Sequence, residues 1–176
     1  MNSPTAKSHS SLFRRTALTI AAGLLVFQLA SGAAIFFNLM RPLAQRSADE
    51  AAVKDVLARY KTAIEKLDST GTEQYFTADS MVFETGGVEG TYANYLARHL
   101  GPELKEFKSF AFTDYKVDVR FEGPVAIATE SYKYRIETKG GEIAERLGVA
   151  TSILKKVDGK WKILLMHNSA RKPKGS

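Results

Sequence analysis

An uncharged segment between Arg15 and Arg41 constrains this chain more than any other feature of its sequence. Residues 16–40 contain no acidic or basic side chain. As an α-helix rising about 1.5 Å per residue, the segment would be roughly 37 Å long. Because the hydrocarbon core of a bilayer is about 30 Å thick, such a helix can span it with some tilt. The segment therefore predicts a transmembrane or signal helix, followed by one domain of about 130 residues.

The flanks of the segment leave its processing open. Lys7, Arg14 and Arg15 precede it, and residues 30–33 have the small side chains that a signal peptidase accepts. The apolar run nevertheless continues to Met40, which favours an uncleaved signal anchor; a cleaved signal peptide and a buried hairpin are the alternatives. The positive-inside rule places the N-terminal tail in the cytoplasm and the domain outside it. We expect a membrane-anchored domain that is periplasmic or extracytoplasmic, or a secreted domain if the signal is cleaved.

The charge distribution argues against a nucleic-acid partner. The net charge is +6, but the first 46 residues contain five of the 25 basic residues and none of the 19 acidic ones. The remainder is close to neutral and has no basic patch for a phosphate backbone. The chain also has no cysteine, which excludes disulfides, a thiolate nucleophile and cysteine-based metal sites.

The domain begins with a helical pattern. Residues 1–15 are predicted to be a disordered cytoplasmic tail, 41–47 a linker, 48–172 the domain and 173–176 a flexible tail. Ser47 and Glu50 form a capping box that predicts the start of a helix. Apolar residues then recur at steps of three and four as far as Leu67, which predicts an amphipathic helix of about twenty residues. Thr91 is the predicted cap of a further helix.

The C-terminal half changes to a period of two. Alternating apolar and polar residues predict four long antiparallel strands, separated at Gly123-Pro124, Gly140-Gly141 and Asp158-Gly159. The last of these dipeptides is a strong hairpin signal. A run of helices followed by antiparallel strands predicts an α+β domain with helices on one face of a curved sheet.

Several local strings resemble the nuclear transport factor 2-like superfamily, and its SnoaL-like branch most closely. The strings are Tyr75–Glu84, Gly86–Gly90, Asp158–Ile163 and His167–Ser169. The resemblance implies a cone-shaped fold in which three N-terminal helices close over a curved antiparallel sheet, here preceded by the transmembrane or signal helix. It also implies a pocket for a small-molecule ligand and a homodimer formed through the sheet. Members of the superfamily include isomerases, cyclases and dehydratases as well as non-catalytic modules, so the fold alone does not choose a function.

Two histidines of the domain lie at positions that the resemblance places near the pocket. His99 follows Tyr92 and Tyr95 on one helix face, and His167 shares a strand face with Trp161 in the alternating pattern. If they converge, they could form an acid/base pair or, with Glu84 or Glu89, ligate a divalent metal. The alternative for each histidine is a packing role in the core. No cofactor is predicted, and the divalent metal is the exception left open.

Glu130 is the third catalytic candidate. It shares its strand face with Ala128 and Tyr132, a face that looks buried. In a pocket, desolvation would raise the pKa of Glu130 and suit it to act as a base; the alternative is an ion pair with Arg120 or Arg146. The candidate ligand-binding residues are Glu84, Glu89, Tyr95, His99, Glu130 and His167. Whether the domain is an enzyme, a binding protein or an interaction module is left open by the sequence.

Overall fold

The computed structural model describes residues 44–174. Residues 48–174 form one compact unit. Residues 44–65 are helical and form α1. Because the helix is already present at residue 44, Ser47 is not its N-cap, and the expectation of a capping box is wrong. The predicted transmembrane or signal helix lies outside the described residues, among which no helix is long and apolar enough to cross a membrane.

A short helical region follows the first strands. A 3-10 helix, Thr72–Tyr75, precedes β1 (Phe76–Glu84) and β2 (Gly87–Gly90). The helices α2 (Tyr92–Tyr95) and α3 (Gly101–Glu106) are joined by a π-helical stretch, Leu96–Leu100. The predicted cap is confirmed, since the Thr91 side chain accepts a hydrogen bond from the Asn94 amide at 3.3 Å.

The π-helical stretch explains how the helical region continues through Gly101-Pro102. Pro102 cannot donate a backbone hydrogen bond, and the preceding Gly101 amide instead bonds the carbonyl of Leu96, one residue further back than in an α-helix. A side chain at Gly101 would place its Cβ 2.6 Å from that carbonyl oxygen. Glycine is therefore required where the two backbone segments approach.

Six strands form one curved sheet in the order β2-β1-β6-β5-β4-β3. The four long strands are β3 (Phe107–Glu122), β4 (Val125–Thr138), β5 (Ile143–Val157) and β6 (Lys160–Arg171). They pair antiparallel as predicted, while β1 joins the sheet parallel to β6, which the sequence pattern does not indicate. The register shifts within β1, β3 and β6 are bulges of the kind that bend and twist a sheet.

The core lies between α1 and the concave face of the sheet. Val53, Leu57 and Ile64 of α1 are buried, and so are Leu154 and Ile163 of the central strands. Along the C-terminal half of α1, from Leu57 to Ile64, the helix and the sheet are separated by a cavity. The fold therefore places one internal space between a rigid helix and the middle of the long strands.

Candidate functional site

The cavity has a volume of about 240 Å³ and is bounded by α1, α3 and the concave face. Its walls are largely aromatic. Phe110, Phe112, Tyr115, Tyr132 and Tyr134 form a continuous set of ring contacts that we call the aromatic wall. Concave, mostly apolar spaces with a few polar groups are typical ligand sites. The volume is below the range of about 300–1,000 Å³ that drug-sized ligands occupy, so it suits a smaller molecule.

The strand register aligns the polar groups of the cavity in one row. Glu84 pairs with Asn168, Asn168 with Ala150, and Ala150 with Glu130. Residues paired in this way on neighbouring strands point to the same side of the sheet, and all four line the cavity. Three strand spacings of about 4.8 Å separate the two glutamates along the sheet, or roughly 14 Å. The small side chain of Ala150 forms the floor between them.

Glu130 lies at one end of this row and accepts a short hydrogen bond from the Tyr115 hydroxyl. Burial raises the pKa of Glu130, and the hydrogen bond from Tyr115 only partly opposes that shift. Arg120 pairs with Ile127 on the opposite face of the sheet, and the Arg146 guanidinium donates to the Glu145 carbonyl. Glu130 thus lines the cavity and does not form the alternative ion pair with Arg120 or Arg146. We call Glu130, Tyr115 and Tyr132 the Glu130 end.

Glu84 lies at the opposite end and accepts a hydrogen bond of 2.6 Å from the Tyr95 hydroxyl. Burial raises the pKa of Tyr95, and the charge of Glu84 adds to that shift. Beside them, the buried Asn168 Oδ1 has no hydrogen-bond partner within the described part of the chain. We call Glu84, Tyr95 and Asn168 the Glu84 end.

His99 lies behind the Glu84 end rather than in the cavity wall. Its Nδ1 is 3.1 Å from Glu89 and its Nε2 3.3 Å from Glu103, and its ring packs against Tyr95 with 5.3 Å between centroids. Desolvation lowers the pKa of His99, but the hydrogen bond to Glu89 and the charges of the surrounding carboxylates together raise it. Of these groups Glu103 lines the cavity, and burial raises its pKa.

His167 points away from the cavity, contrary to the sequence-based prediction. In β6 the partners of Ile153 and Leu154 are Leu165 and Ile163, so Leu164 is an extra residue. This bulge reverses the alternation: Ile163 is buried before it and Met166 after it. His167 consequently lies on the outer face, exposed, with its ring against Phe83 at 6.2 Å between centroids.

The two histidines therefore do not form the shared site that would have held a metal. Among residues 44–174, no group of three or more His, Asp or Glu side chains is placed to hold a metal ion. Of the predicted ligand-binding residues, Glu84, Tyr95 and Glu130 line the cavity, while Glu89 and His99 form the adjacent cluster.

Sequence reasoning missed several cavity residues. Glu103 could have been predicted beside His99, because side chains four residues apart on a helix are neighbours. Tyr115 also alternates with polar residues on its strand, but its pairing with Glu130 depends on the bulge between Thr113 and Lys116. Asn168 was hidden by the bulge in β6, since the uninterrupted pattern turns it outward.

The long helix, the shorter helical region and the curved six-stranded sheet around an internal cavity define a fold of the nuclear transport factor 2-like class. The chain belongs to the SnoaL-like domain family, whose model matches residues 53–172. No curated protein matches the chain.

Solved structures share this fold at low sequence identity. A nuclear transport factor 2-like superfamily protein from Salmonella enterica serovar Typhimurium superposes with a TM-score of 0.66 at 19% identity, covering 74% of this chain and 96% of that one. A conserved protein from Planctomyces limnophilus gives 0.60 at 20% identity, covering 71% and 98%. A type 2 hexachlorocyclohexane dehydrochlorinase gives 0.62 at 14% identity, covering 74% and 97%. At these identities the likeness concerns the fold.

Proposed function

We propose that this domain binds a small organic molecule in the cavity between α1 and the sheet. The observation that carries the proposal is the row of polar groups, Glu84, Asn168 and Glu130, on the floor of a largely aromatic space. Such a space favours an apolar body, since burying apolar surface is worth about 25 cal/mol per Å². The polar row fixes its orientation through hydrogen bonds.

Filling the floor of the cavity tests this proposal. Ala150→Phe places a ring between the two ends, whereas Thr151→Phe makes the same change at the next, exposed residue on the outer face. Binding of one- and two-ring alcohols, ketones and amines, with 2-naphthol as the reference, is measured by ligand-observed NMR. We expect wild type and Thr151→Phe to bind members of the panel and Ala150→Phe to bind none. Equal binding by all three proteins, or none by wild type, would overturn the proposal.

A second candidate function is acid/base catalysis by Glu130. Its raised pKa brings the carboxyl nearer to neutral pH, where proton transfer in both directions is efficient. One protein with this fold is a hexachlorocyclohexane dehydrochlorinase, so the architecture supports enzymes. In this proposal the ionised Glu130 takes a proton from the bound molecule and later returns it. While the carboxyl is ionised, the Tyr115 hydroxyl donates a hydrogen bond to it.

Deuterium exchange detects such proton transfer without knowledge of the natural reaction. 1-Tetralone is incubated with the protein in D₂O, and loss of the α-proton signal is followed by NMR. We expect wild type to accelerate exchange and Glu130→Gln to lose the acceleration. If the two proteins exchange at the same rate, or if wild type does not exceed buffer, the domain is a non-catalytic binding module.

We also propose that residues 16–40 anchor an exported domain in the membrane. The uncharged segment and the preceding Lys7, Arg14 and Arg15 support this. The mass of the mature chain is measured separately in membrane and soluble fractions. A full-length chain in the membrane fraction is expected; a soluble chain lacking about the first 30 residues would mean a cleaved signal peptide.

A homodimer through the outer face of the sheet is proposed by analogy with the fold. Val149, on the outer face of the central strand β5, is 55% exposed and is an apolar side chain that such an interface would cover. Light scattering should show a dimer that Val149→Lys converts to a monomer. Val88→Lys makes the same change at a more exposed valine of β2 (71%); it is the control and should remain dimeric. A monomeric wild type would contradict the proposal.

A further inference from the structure

The charges that face the cavity are unbalanced. Glu84, Glu103 and Glu130 enter it from β1, α3 and β4, and Lys61 of α1 is the one ammonium group among the described residues that line it. Lys61 is itself paired with Glu65 at 2.8 Å. Nearby, His99 is held between carboxylates behind Glu103, and Arg146 lies beside Tyr134 at the rim. Among the described residues that line the cavity, three carboxyl groups therefore face one ammonium group.

The polar row on the cavity floor has more free hydrogen-bond acceptors than free donors. The hydroxyls of Tyr95 and Tyr115 already donate to Glu84 and Glu130. The buried Asn168 Oδ1 between them is an acceptor with no partner in residues 44–174. An unpaired buried acceptor costs about 1–3 kcal/mol, which a ligand relieves if it brings a donor. The row on the cavity floor thus presents acceptors and needs donors.

The aromatic wall already binds one cation. The Lys61 Nζ lies 5.5 Å from the centroid of the Phe112 ring and 5.4 Å from that of Tyr115. The negative face of an aromatic ring attracts an ammonium group at such distances, and the attraction grows when water is excluded. Lys61 therefore shows, within the chain itself, the kind of group that this wall accommodates.

The titratable groups around the cavity sense the same negative field. Burial raises the pKa of Tyr132, and the charge of Glu130 adds to that shift. Burial also raises the pKa of Tyr134, where Arg146 opposes the shift while Glu84 and Glu103 add to it. The carboxylates also outweigh desolvation at His99 and raise its pKa. A positive charge placed in the cavity is stabilised by the same field.

We propose that the ligand of this cavity is a primary ammonium compound with a small aromatic or alicyclic body. The ammonium group has three donors and no acceptor, which suits the neighbouring acceptors Glu84 and Asn168 Oδ1, while the body packs on the aromatic wall toward Glu130. This inference rests on the proposed binding function and names the chemical class of the ligand.

Binding of an ammonium group should be linked to proton release. Burial raises the pKa of Glu130 and of Glu103, so these carboxyls hold their protons to higher pH than exposed ones. A cation favours the ionised carboxylates and displaces those protons. Affinity should therefore rise with pH through the range in which Glu130 and Glu103 titrate, with Lys61, His99 and Arg146 remaining as the fixed positive neighbours.

A matched pair of probes separates charge from shape. 2-Phenylethylamine and 2-phenylethanol have nearly the same size, and the amine is protonated at neutral pH. By titration calorimetry we expect wild type to bind the amine at least about tenfold more tightly than the alcohol, as a charge-assisted hydrogen bond allows. Titrations of the amine in buffers of different ionisation enthalpy should show protons released on binding.

Variants locate the source of the preference. Glu84→Gln should weaken amine binding by about tenfold and alcohol binding much less, because the amide keeps a hydrogen-bonding oxygen but loses the charge. Glu130→Gln, at the far end of the row, should weaken amine binding less than Glu84→Gln does. Glu122→Gln removes an exposed carboxylate at the end of β3 and is the charge-matched control; an equal effect there would reduce the preference to general surface attraction and overturn the inference. Thermal melting of each variant verifies that it is folded.

The two proposals fail in different ways. If the alcohol binds as tightly as the amine, and Ala150→Phe abolishes both, the ammonium inference is overturned while the binding function stands. If neither probe binds wild type and the one- and two-ring panel also fails, the binding function itself falls.

Discussion

The two ends of the cavity each contain a glutamate that accepts a hydrogen bond from a tyrosine, but their surroundings differ. At the Glu84 end, the cluster of His99, Glu89 and Glu103 lies directly behind the pair. At the Glu130 end, Tyr115 packs against the rings of Tyr132 and Phe112, and the Lys61 ammonium lies over Phe112 and Tyr115. The same pair of side chains is thus placed once beside a histidine and further carboxylates and once in an aromatic wall that holds a lysine.

This difference explains why proton chemistry is assigned to Glu130. Desolvation is the largest influence on Glu130 and raises its pKa. At the other end, His99 interacts electrostatically with several carboxylates, among them Glu84. The Glu84 end is therefore suited to hold a charge, and the Glu130 end to exchange a proton.

The largest predicted effect concerns the support of the Glu130 end. Gly148 lies opposite Tyr132, and a Cβ at this position would lie 2.7 Å from Tyr132 Cδ2. Gly148→Ala must displace the ring, and we expect it to lower the free energy of unfolding by about 1–3 kcal/mol, measured by chemical denaturation. The cost should be much smaller in a Tyr132→Ala background, where the ring is absent.

Gly140→Ala is the matched control for this change. A Cβ at Gly140 would meet Thr138 Oγ1 at an ordinary 3.6 Å, so its effect should be within about 0.5 kcal/mol. Gly140 lies in the turn between β4 and β5, so similar losses at both glycines would mean that the loss of glycine itself, and not the Tyr132 ring, sets the cost. The Glu130 end would then lack the specific support proposed here.

The second prediction compares the two tyrosines. Tyr115→Phe removes the donor to a buried carboxylate and should cost about 1–2 kcal/mol at neutral pH, while raising the pKa of Glu130 further because the hydrogen bond that lowers it is lost. Tyr95→Phe should cost less, because the charge of His99 also acts on Glu84. Denaturation and NMR titration of the Glu130 carboxyl measure both effects; an equal cost at both tyrosines would contradict the comparison.

The Glu84 and Glu130 ends also differ in how far the sequence predicts them. Glu130 was assignable because β4 alternates without interruption, so Ala126, Ala128 and Glu130 share one face. The Asp158-Gly159 hairpin was equally predictable, because this dipeptide favours a turn with positive φ at both central residues, and both residues adopt positive φ. Local patterns of this kind are set by neighbouring residues and survive tertiary packing.

The positions of Asn168 and His167 were not predictable, because a single extra residue in β6 exchanges the two faces of the strand. Whether β6 bulges is decided by its pairing with β5 and not by its own residues. The parallel pairing of β1 with β6 is a long-range contact of the same kind. The Glu84 end depends on both features, which is why its composition emerges only from the fold.

The third prediction concerns pH at the Glu130 end. A carboxyl whose pKa is raised in the folded state makes the folded protein bind protons more tightly than the unfolded chain, so its contribution to stability decreases as pH rises from about 4.5 to the folded value. Glu130→Gln removes this contribution and should flatten the fall of stability with pH. Glu122→Gln, which removes an exposed carboxylate at the end of β3, is the control for the substitution; an equal flattening there would contradict the assignment to Glu130.

The smallest predicted effect concerns His99, behind the Glu84 end. Its pKa is raised in the folded state, so the stability that it contributes is fully present below its unfolded pKa and is lost as pH rises through the folded value. Because the ring is 32% exposed, His99→Gln should cost below about 1 kcal/mol, and more at about pH 5.5 than at about pH 8.5. His167→Gln, on the outer face, is the control and should show no such difference. A cost at His99 that is independent of pH would mean that packing against Tyr95, and not charge, holds the imidazole there; the two ends of the cavity would then differ only in shape.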